Sequence, residues 1–473
     1  MRSRAWQKRI WAVPALCAAM VTASPAQGFT TLVTFNGSNG TNPTQLLQGL
    51  DGSMYGTTVV GGANNAGTVF KIAPGGALTT LHSFCALTAC SDGGQPFAGL
   101  AQSVNGMLYG TTYGGLGIGV NYGLGTVFQI TPAGTLTTLH TFSGNDGANP
   151  YDRLAQGTDG SFYGTTQSGG SGAYGYGTVF KITPGGNLTS LHSFAGTDGD
   201  MPFAGLTEGT DGSFYGTTAY GGASGYGSIF RITPAGALTP LHTFAASDGD
   251  HAFGGLIQAT DGNFYGTTES GGSNLKGTIY KITPAGALTT LYSFCSQTNC
   301  SDGANPYAGF VQGTDGKLYG TTELGGTINS NCPQGCGTVF SITRSGTLTT
   351  LHRFSWSDGA GPVDDLLQDT DGRFYGTTFY GLNAGTVYRL SLGLGPFVKT
   401  LPLSGKVGSV VRILGTSLAS ATAVSFQGVA APFAVVSATE ISTMVPVGAS
   451  TGIVQVTTPS STLASNLPFR VRP

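Results

Sequence analysis

The tetrapeptide Tyr-Gly-Thr-Thr begins at Tyr55, Tyr109, Tyr163, Tyr215, Tyr265, Tyr319 and Tyr375, seven copies at intervals of 54, 54, 52, 50, 54 and 56 residues. A period near 50 residues confines the chain to architectures in which one supersecondary unit packs on copies of itself. Each unit runs from an apolar segment such as Phe203-Ala204-Gly205-Leu206, through a Thr-Asp-Gly turn, to Tyr-Gly-Thr-Thr. A Gly-rich loop follows, then Gly-Thr-Val-Phe-Lys-Ile, Thr-Pro-Ala-Gly and Leu-Thr-Thr-Leu-His-Ser-Phe. Thr, Val, Ile, Tyr and Phe fill the segments between turn residues, which predicts four short strands per unit, a to d in chain order. No helical periodicity of useful length interrupts them.

Four antiparallel strands per unit match the blade of a β-propeller, where radial closure removes the edges an open array would expose. The expected fold is all-β: a seven-bladed β-propeller over residues 29–394, then a small immunoglobulin-like β-sandwich over 395–473. The phase of the repeat predicts how the ring closes. A d-like strand, Thr30 to Phe35, precedes any a strand, whereas the last unit loses its Leu-Thr-Thr-Leu-His segment after Leu390. The leading strand is therefore expected to complete the last blade, with Pro396 to Leu401 as the competitor for that place.

Loop lengths divide the ring into two faces. The turn residue Asp51, Asn105, Asp159, Asp211, Asp261, Asp315 or Asp371 always stands four before the Tyr, and the strand-d Leu, as Leu78 after Gly67, always stands eleven positions after the Gly. These turns share one face, expected to be structural. On the other, the b-to-c loops hold 8, 12, 10, 8, 8, 14 and 6 residues, and the d-to-a loops carry four-residue insertions after Phe84 and Phe294. Variable loops over a fixed scaffold mark this second face as the candidate binding face.

Composition narrows the function. Gly reaches 79 of 473 residues without a Gly-X-Y period, and aromatics reach 10%, which excludes collagen and argues against disorder. Lys+Arg 20 against Asp+Glu 22 excludes a basic nucleic-acid binder. Residues 1–28 read as a signal peptide: Arg2, Arg4, Lys8 and Arg9 precede an apolar run from Ile10 to Val21, with small residues at Ala23, Ser24 and Ala26. An uncleaved anchor is the alternative, and Leu16 before Cys17 argues against lipid attachment. Cleavage leaves 16 Lys+Arg against 22 Asp+Glu, a net charge near −6 that disfavours anionic partners. A secreted or surface-bound monomer is expected, with no membrane insertion after cleavage.

Six cysteines then remain, as three local pairs: Cys85 with Cys90, Cys295 with Cys300, and Cys332 with Cys336. In an exported chain an even count favours disulfides, each stapling an enlarged loop on the variable face. Zinc is the alternative, but no pair has a second Cys or His pair near it in sequence. His82, His140, His192, His242 and His352 share one position in strand d, where Tyr292 and Val33 replace them. That tolerance implies packing or hydrogen bonding within the blade rather than catalysis; His251 stands alone in a d-to-a loop. Gln48, Gln102, Gln156, Glu208, Gln258, Gln312 and Gln368 form a ring in strand a, expected to satisfy backbone groups between blades. Asp198 with Asp200 and Asp248 with Asp250 offer hard oxygen ligands suited to calcium, although the full acidic loop with its distal Glu is missing. No resident metal or cofactor is expected.

No paired acid and base, Ser-His-Asp order or phosphate-cradling loop stands out from the repeat. Its strongest breaks are Asp152-Arg153 and Asp364-Asp365, which replace Ala-Gly in their units and are the candidate ligand-binding residues.

The repeat resembles the Gloeobacter/Verrucomicrobia-type (GloVer) tandem repeats of bacterial exported proteins over about residues 29 to 390. That resemblance implies an extracellular or surface role and carries no catalytic residues to transfer. After Gly395, Gly415-Thr416, Val424 to Gly428 and Val445 to Gly448 are similar to the signals of IPT/TIG immunoglobulin-like domains, which implies a spacer or adhesive module. The favoured function is a noncatalytic binding or adhesion protein whose loop face engages a polysaccharide or protein. The alternative is a propeller hydrolase or lyase acting on an extracellular glycan or lactone through Asp152, Asp364 or Asp365.

Overall fold

Runs of β-branched and aromatic residues bounded by glycine form strands because such side chains fill a pleated, half-buried surface. The computed structural model describes residues 28–114, 123–172, 175–382 and 384–472. The signal-peptide reading falls almost wholly outside them. In the third repeat, strands Ala155–Gln156, Phe162–Thr166, Thr178–Ile182 and Leu188–Ser193 pair in chain order as one antiparallel sheet. The other repeats follow the same order, the first gaining an extra strand, Thr41–Pro43, beside Met54–Val60.

In the seventh repeat the fourth strand is Gly28–Thr34, which pairs antiparallel with Thr386–Ser391. The leading strand thus fills the place left by the missing segment. Its competitor goes elsewhere: Lys399–Leu401 pairs with Val410–Leu414 in the C-terminal unit. The architecture is all-β and propeller-like.

The core lies between consecutive sheets. Tyr163, Val179 and Phe194 of the third repeat pack with Leu206, Phe214, Phe230 and Ile232 of the fourth. Val33, Tyr375 and Val387 of the seventh pack in the same way with Leu46, Met54, Phe70 and Ile72 of the first. The glycine of Tyr-Gly-Thr-Thr is required by this packing. A Cβ on Gly164 would lie 2.6 Å from Phe180 Cζ and 2.8 Å from Leu154 Cδ2, so the strand can pass only without a side chain.

Polar groups repeat as regularly. In six repeats the Tyr hydroxyl donates to the turn aspartate four residues earlier, at 2.9 Å for Tyr55 and Asp51 and 2.7 Å for Tyr265 and Asp261, which fixes the length of that hairpin; the second repeat has Asn105 there. The second Thr bonds the first residue of strand c, as Thr166 Oγ1 does Thr178 Oγ1 at 2.8 Å. In most repeats the first Thr reaches the next, as Thr165 Oγ1 donates to the Ala204 carbonyl at 2.9 Å, while Thr111 Oγ1 is buried without a partner. The strand-a amides join repeats as expected, except at Gln156, whose buried Oε1 has no hydrogen-bond partner: Leu50 N–H donates to Gln102 Oε1 at 3.0 Å and Thr210 N–H to Gln258 Oε1 at 2.8 Å. Gln48 spans first to last, taking the Thr370 N–H at 3.2 Å and donating to Asp369 at 3.0 Å and Thr370 Oγ1 at 2.7 Å.

Residues after Gly395 form two four-stranded sheets around a core that includes Val411, Ile413, Leu418, Val424, Phe426, Ile441 and Phe469. This unit does not stand away from the repeats as a free spacer would. It lies against the face of the a-to-b turns. Thr439 Oγ1 donates to the Leu50 carbonyl at 3.1 Å and Arg412 Nε to the Val104 carbonyl at 3.3 Å. Arg470 reaches the Gly209 carbonyl and Lys399 the Gln368 carbonyl. Arg472 pairs with Glu208 at 2.6 Å. Glu208 stands where other repeats carry Gln, and that exchange supplies the anion for Arg470 and Arg472. Burial lowers Lys399 to about 8, with Asp369 and Asp371 opposing the shift.

Candidate functional site

The segment from strand d to strand a carries a Pro-aromatic pair in most repeats, and the ring brings these aromatics together at the axis on the variable-loop face. Phe97 stacks on Tyr151 with centroids 4.8 Å apart, and Tyr151 meets Phe203 edge-on at 5.0 Å. Phe203 meets Phe253 edge-on at 4.8 Å, and Phe253 stacks on Tyr307 at 4.6 Å. Burial pushes Tyr151 up to about 12 and raises Tyr307 as well.

The aromatics border a cavity of about 40 Å³ that is also lined by Gln45, Asp152, Asp364 and Asp365. Each candidate at the breaks of the repeat therefore arrives at one place. Asp152 accepts the Gly205 N–H at 2.7 Å and the Arg153 N–H at 2.6 Å. Asp365 accepts the Gly309 N–H at 2.6 Å and the Gln45 amide at 2.8 Å, and lies 3.8 Å from the Arg153 guanidinium. Burial raises Asp364 well above the ordinary carboxyl range, and the charges of Asp365 and Asp152 add to it; hydrogen bonds from Thr377 and Gln45 work the other way. Burial raises Asp365 too, against the pull of Arg153. Asp364 is the group most suited to hold a proton here. Gln45 belongs to the site but does not stand out in sequence, because Pro43-Thr44-Gln45-Leu46 runs one residue short of the Pro-Phe-Ala-Gly-Leu pattern.

The remaining candidates sit farther out. His140, His192, His242 and His352 contact the turn aspartates Asp146, Asp198, Asp248 and Asp358 at 2.8 to 3.0 Å, and His82 contacts Asp92 at 3.0 Å. These pairs hold strand d to its loop, as their repetition implies. Asp198 and Asp248 are thereby engaged, each also taking a backbone N–H, from Ala195 at 2.9 Å and Ala245 at 2.8 Å. Asp250 accepts Ser270 Oγ at 3.1 Å, and burial raises Asp200. Among the described residues no group of three or more His, Cys, Asp or Glu is placed to hold a metal ion.

Sequence reading missed Glu269 and Glu323, which follow Tyr-Gly-Thr-Thr directly in neighbouring repeats. Burial raises Glu323, and the Glu269 charge adds to the shift. Both also raise Tyr307. Their signal was present: the same position holds Val59, Tyr113, Gln167, Ala219 and Phe379 elsewhere, so two consecutive acids break the repeat.

The disulfides Cys85–Cys90, Cys295–Cys300 and Cys332–Cys336 are all formed. Three such bonds belong to an oxidising compartment, which makes this an exported protein. Among the described residues no helix is long and apolar enough to cross a membrane.

Among curated proteins no relative matches the sequence. Solved structures with some likeness include a gluconolactonase from Xanthomonas campestris, 15% identical over 82% of this chain and 99% of that one, with a TM-score of 0.41. The extracellular domain of a two-component system protein from B. thetaiotaomicron is 11% identical over 94% of this chain and 57% of that one, with a TM-score of 0.49. A luciferin-regenerating enzyme is 12% identical over 62% of this chain and 89% of that one, with a TM-score of 0.39. The Gloeobacter/Verrucomicrobia repeat model matches residues 18–210, 113–331 and 206–422, most of the chain. The chain therefore belongs to the Gloeobacter/Verrucomicrobia repeat family.

Proposed function

We propose that this protein is a noncatalytic binding protein of the cell exterior, a closed seven-bladed β-propeller whose loop face engages a neutral polysaccharide. Its C-terminal sandwich, read as an IPT/TIG immunoglobulin-like module, is fixed to the opposite face. One observation carries this reading. The module's contacts occupy the face of uniform turns, so the aromatic stack, the acidic cluster and the disulfide-stapled loops all remain on the other. Aromatic faces with a few fixed polar groups suit a ligand that is apolar on its ring faces and hydroxylated at its edges. The carboxylates Asp152 and Glu269, with Asp+Glu 22 against Lys+Arg 20 in the chain, select against an anionic polymer.

The hydrolase or lyase reading draws support from Asp364, which burial biases toward holding a proton, beside the carboxyl groups of Asp152 and Asp365. Two features favour binding instead. The oxygens of Asp152 and Asp365 are engaged by protein donors. A cavity of about 40 Å³ holds water but not a sugar ring. A glycan array with the purified protein is expected to give signal on neutral polysaccharides and none on sulfated or uronic-acid polymers, with no products released. Turnover of a glycan or lactone that Asp364→Ala abolishes would replace this reading with the enzymatic one.

A further inference from the structure

The sixth and seventh repeats enclose a second cavity, about 230 Å³, smaller than the ~300 Å³ at which drug-sized sites begin. Its walls include Trp356, Tyr380, Pro333 and the Cys332–Cys336 disulfide, with Glu323, Asn331 and Gln334 supplying polar atoms. The two aromatic side chains are uncovered, Trp356 at 36% and Tyr380 at 48% exposure.

Trp356 occupies a costly position. It stands in the Phe-x-x-x-Asp-Gly turn at φ 72, where three other repeats use Gly37 at φ 84, Gly144 at φ 91 and Gly196 at φ 81. A left-handed backbone strains any residue with a Cβ, and an indole left 36% exposed gains less there than full burial would return. The surroundings nonetheless hold it firmly. Trp356 and Gly359 exchange N–H and carbonyl bonds at 3.1 and 3.3 Å. Asn329 ties the disulfide loop to the Ser355 carbonyl at 3.3 Å. Gly361 donates to the Cys336 carbonyl at 2.9 Å, and a Cβ on Gly361 would lie 2.9 Å from the Tyr380 ring. The turn, the stapled loop and the tyrosine are thus fixed relative to one another before any ligand arrives, with the indole outward.

We infer that this pocket is a subsite for one pyranose ring of the neutral polysaccharide, with Trp356 and Tyr380 against its C–H faces and Glu323, Asn331 and Gln334 bonding its hydroxyls. The inference rests on the polysaccharide reading above and assigns its place to the rim between two repeats rather than to the axis. Burial keeps Glu323 biased toward its neutral form, which suits a hydroxylated, uncharged ligand.

The full chain is titrated with cellohexaose, laminarihexaose, xylohexaose, mannohexaose and chitohexaose, read by calorimetry and by tryptophan fluorescence. The chain's other tryptophans, Trp6 and Trp11, fall in the N-terminal segment read as a signal peptide, so a spectral change present in the wild type and lost in Trp356→Gly reports this pocket. At least one hexaose is expected to bind. Trp356→Gly and Tyr380→Ala are each expected to weaken it about tenfold, while Trp356→Gly leaves the melting temperature unchanged or higher. Glu323→Gln is expected to keep most of the affinity. A hexaose bound equally well by wild type and Trp356→Gly overturns the subsite and leaves the polysaccharide reading standing. Failure of all five hexaoses to bind the wild type overturns both.

Discussion

On one face of the ring the hairpins are nearly interchangeable, six of the seven held by a tyrosine bonded to an aspartate four residues back; on the other, neighbouring loops differ in length, charge and staples. The uniform face is also the one that receives the C-terminal module, through bonds to the Leu50, Val104, Gly209 and Gln368 carbonyls. Backbone carbonyls are present whatever the side chains are, so a repeated surface can support one asymmetric partner while giving up its repeat at little more than Glu208. The loop face works in the opposite way. It departs from the repeat in side chains, and the departures collect at the axis and between the sixth and seventh repeats. A repeat therefore supplies position on one side and chemistry on the other.

The largest effect belongs to the shared frame. Gly164→Ala puts a Cβ 2.6 Å from Phe180 Cζ and 2.8 Å from Leu154 Cδ2, while at Gly320 the nearest atoms are 3.0 and 3.1 Å away. We expect Gly164→Ala to lose ~3 kcal/mol and Gly320→Ala ~1 kcal/mol, measured by urea unfolding. Equal losses would mean that the seven interfaces relax alike and that the frame is more uniform than these distances imply.

The seam between first and last repeats gives the next effect. Gln48 is buried and bonds Asp369 and both polar groups of Thr370, whereas Gln258 makes a similar clasp that is partly open to solvent. Gln48→Ala leaves Asp369 buried without that donor and is expected to lose ~2 kcal/mol, against ~1 kcal/mol for Gln258→Ala. If Gln258→Ala costs as much, the seam is no different from any other joint.

How far these features were legible in sequence follows from the range of the interactions. The Tyr–Asp hairpin bond spans four residues, so its constant spacing reveals it. The leading strand's partnership with Thr386–Ser391 is distant, yet repeat phase exposes it, because one strand is missing at the end and one is spare at the start. Asp152, Arg153, Asp364 and Asp365 were visible as breaks in a pattern, but not their meeting, since the third and seventh repeats touch only after closure. The axial aromatics were hidden for the opposite reason: they obey the pattern. Docking of the module left one trace, Glu208 in place of the strand-a Gln, and that exchange does not by itself name Arg470 and Arg472 as its partners; Leu50, Val104 and Gly209 contribute only carbonyls. Trp356 was passed over as one residue in a turn, where only its φ shows the cost of placing it there.

The smallest effect separates charge from shape at the axis. The folded state raises Asp364 above its ordinary value of 3.8, so between those two values the folded protein holds a proton that the unfolded chain has released. The unfolded state then binds fewer protons, and stability falls as pH rises through that window, until the folded-state carboxyl itself ionises and the penalty is complete. Below pH 3.8 both states are protonated and the group makes no difference. Asp364→Asn keeps a polar group of similar shape and cannot ionise. It is expected to be more stable than wild type by ~1 kcal/mol at pH 8, with the gap closing as pH falls toward 4, in urea midpoints taken across that range. A gap independent of pH would mean that Arg153, with its charge already shared with Asp365, also neutralises Asp364, and the acidic cluster would then be a salt-bridged plug of the axis rather than a reservoir for a proton.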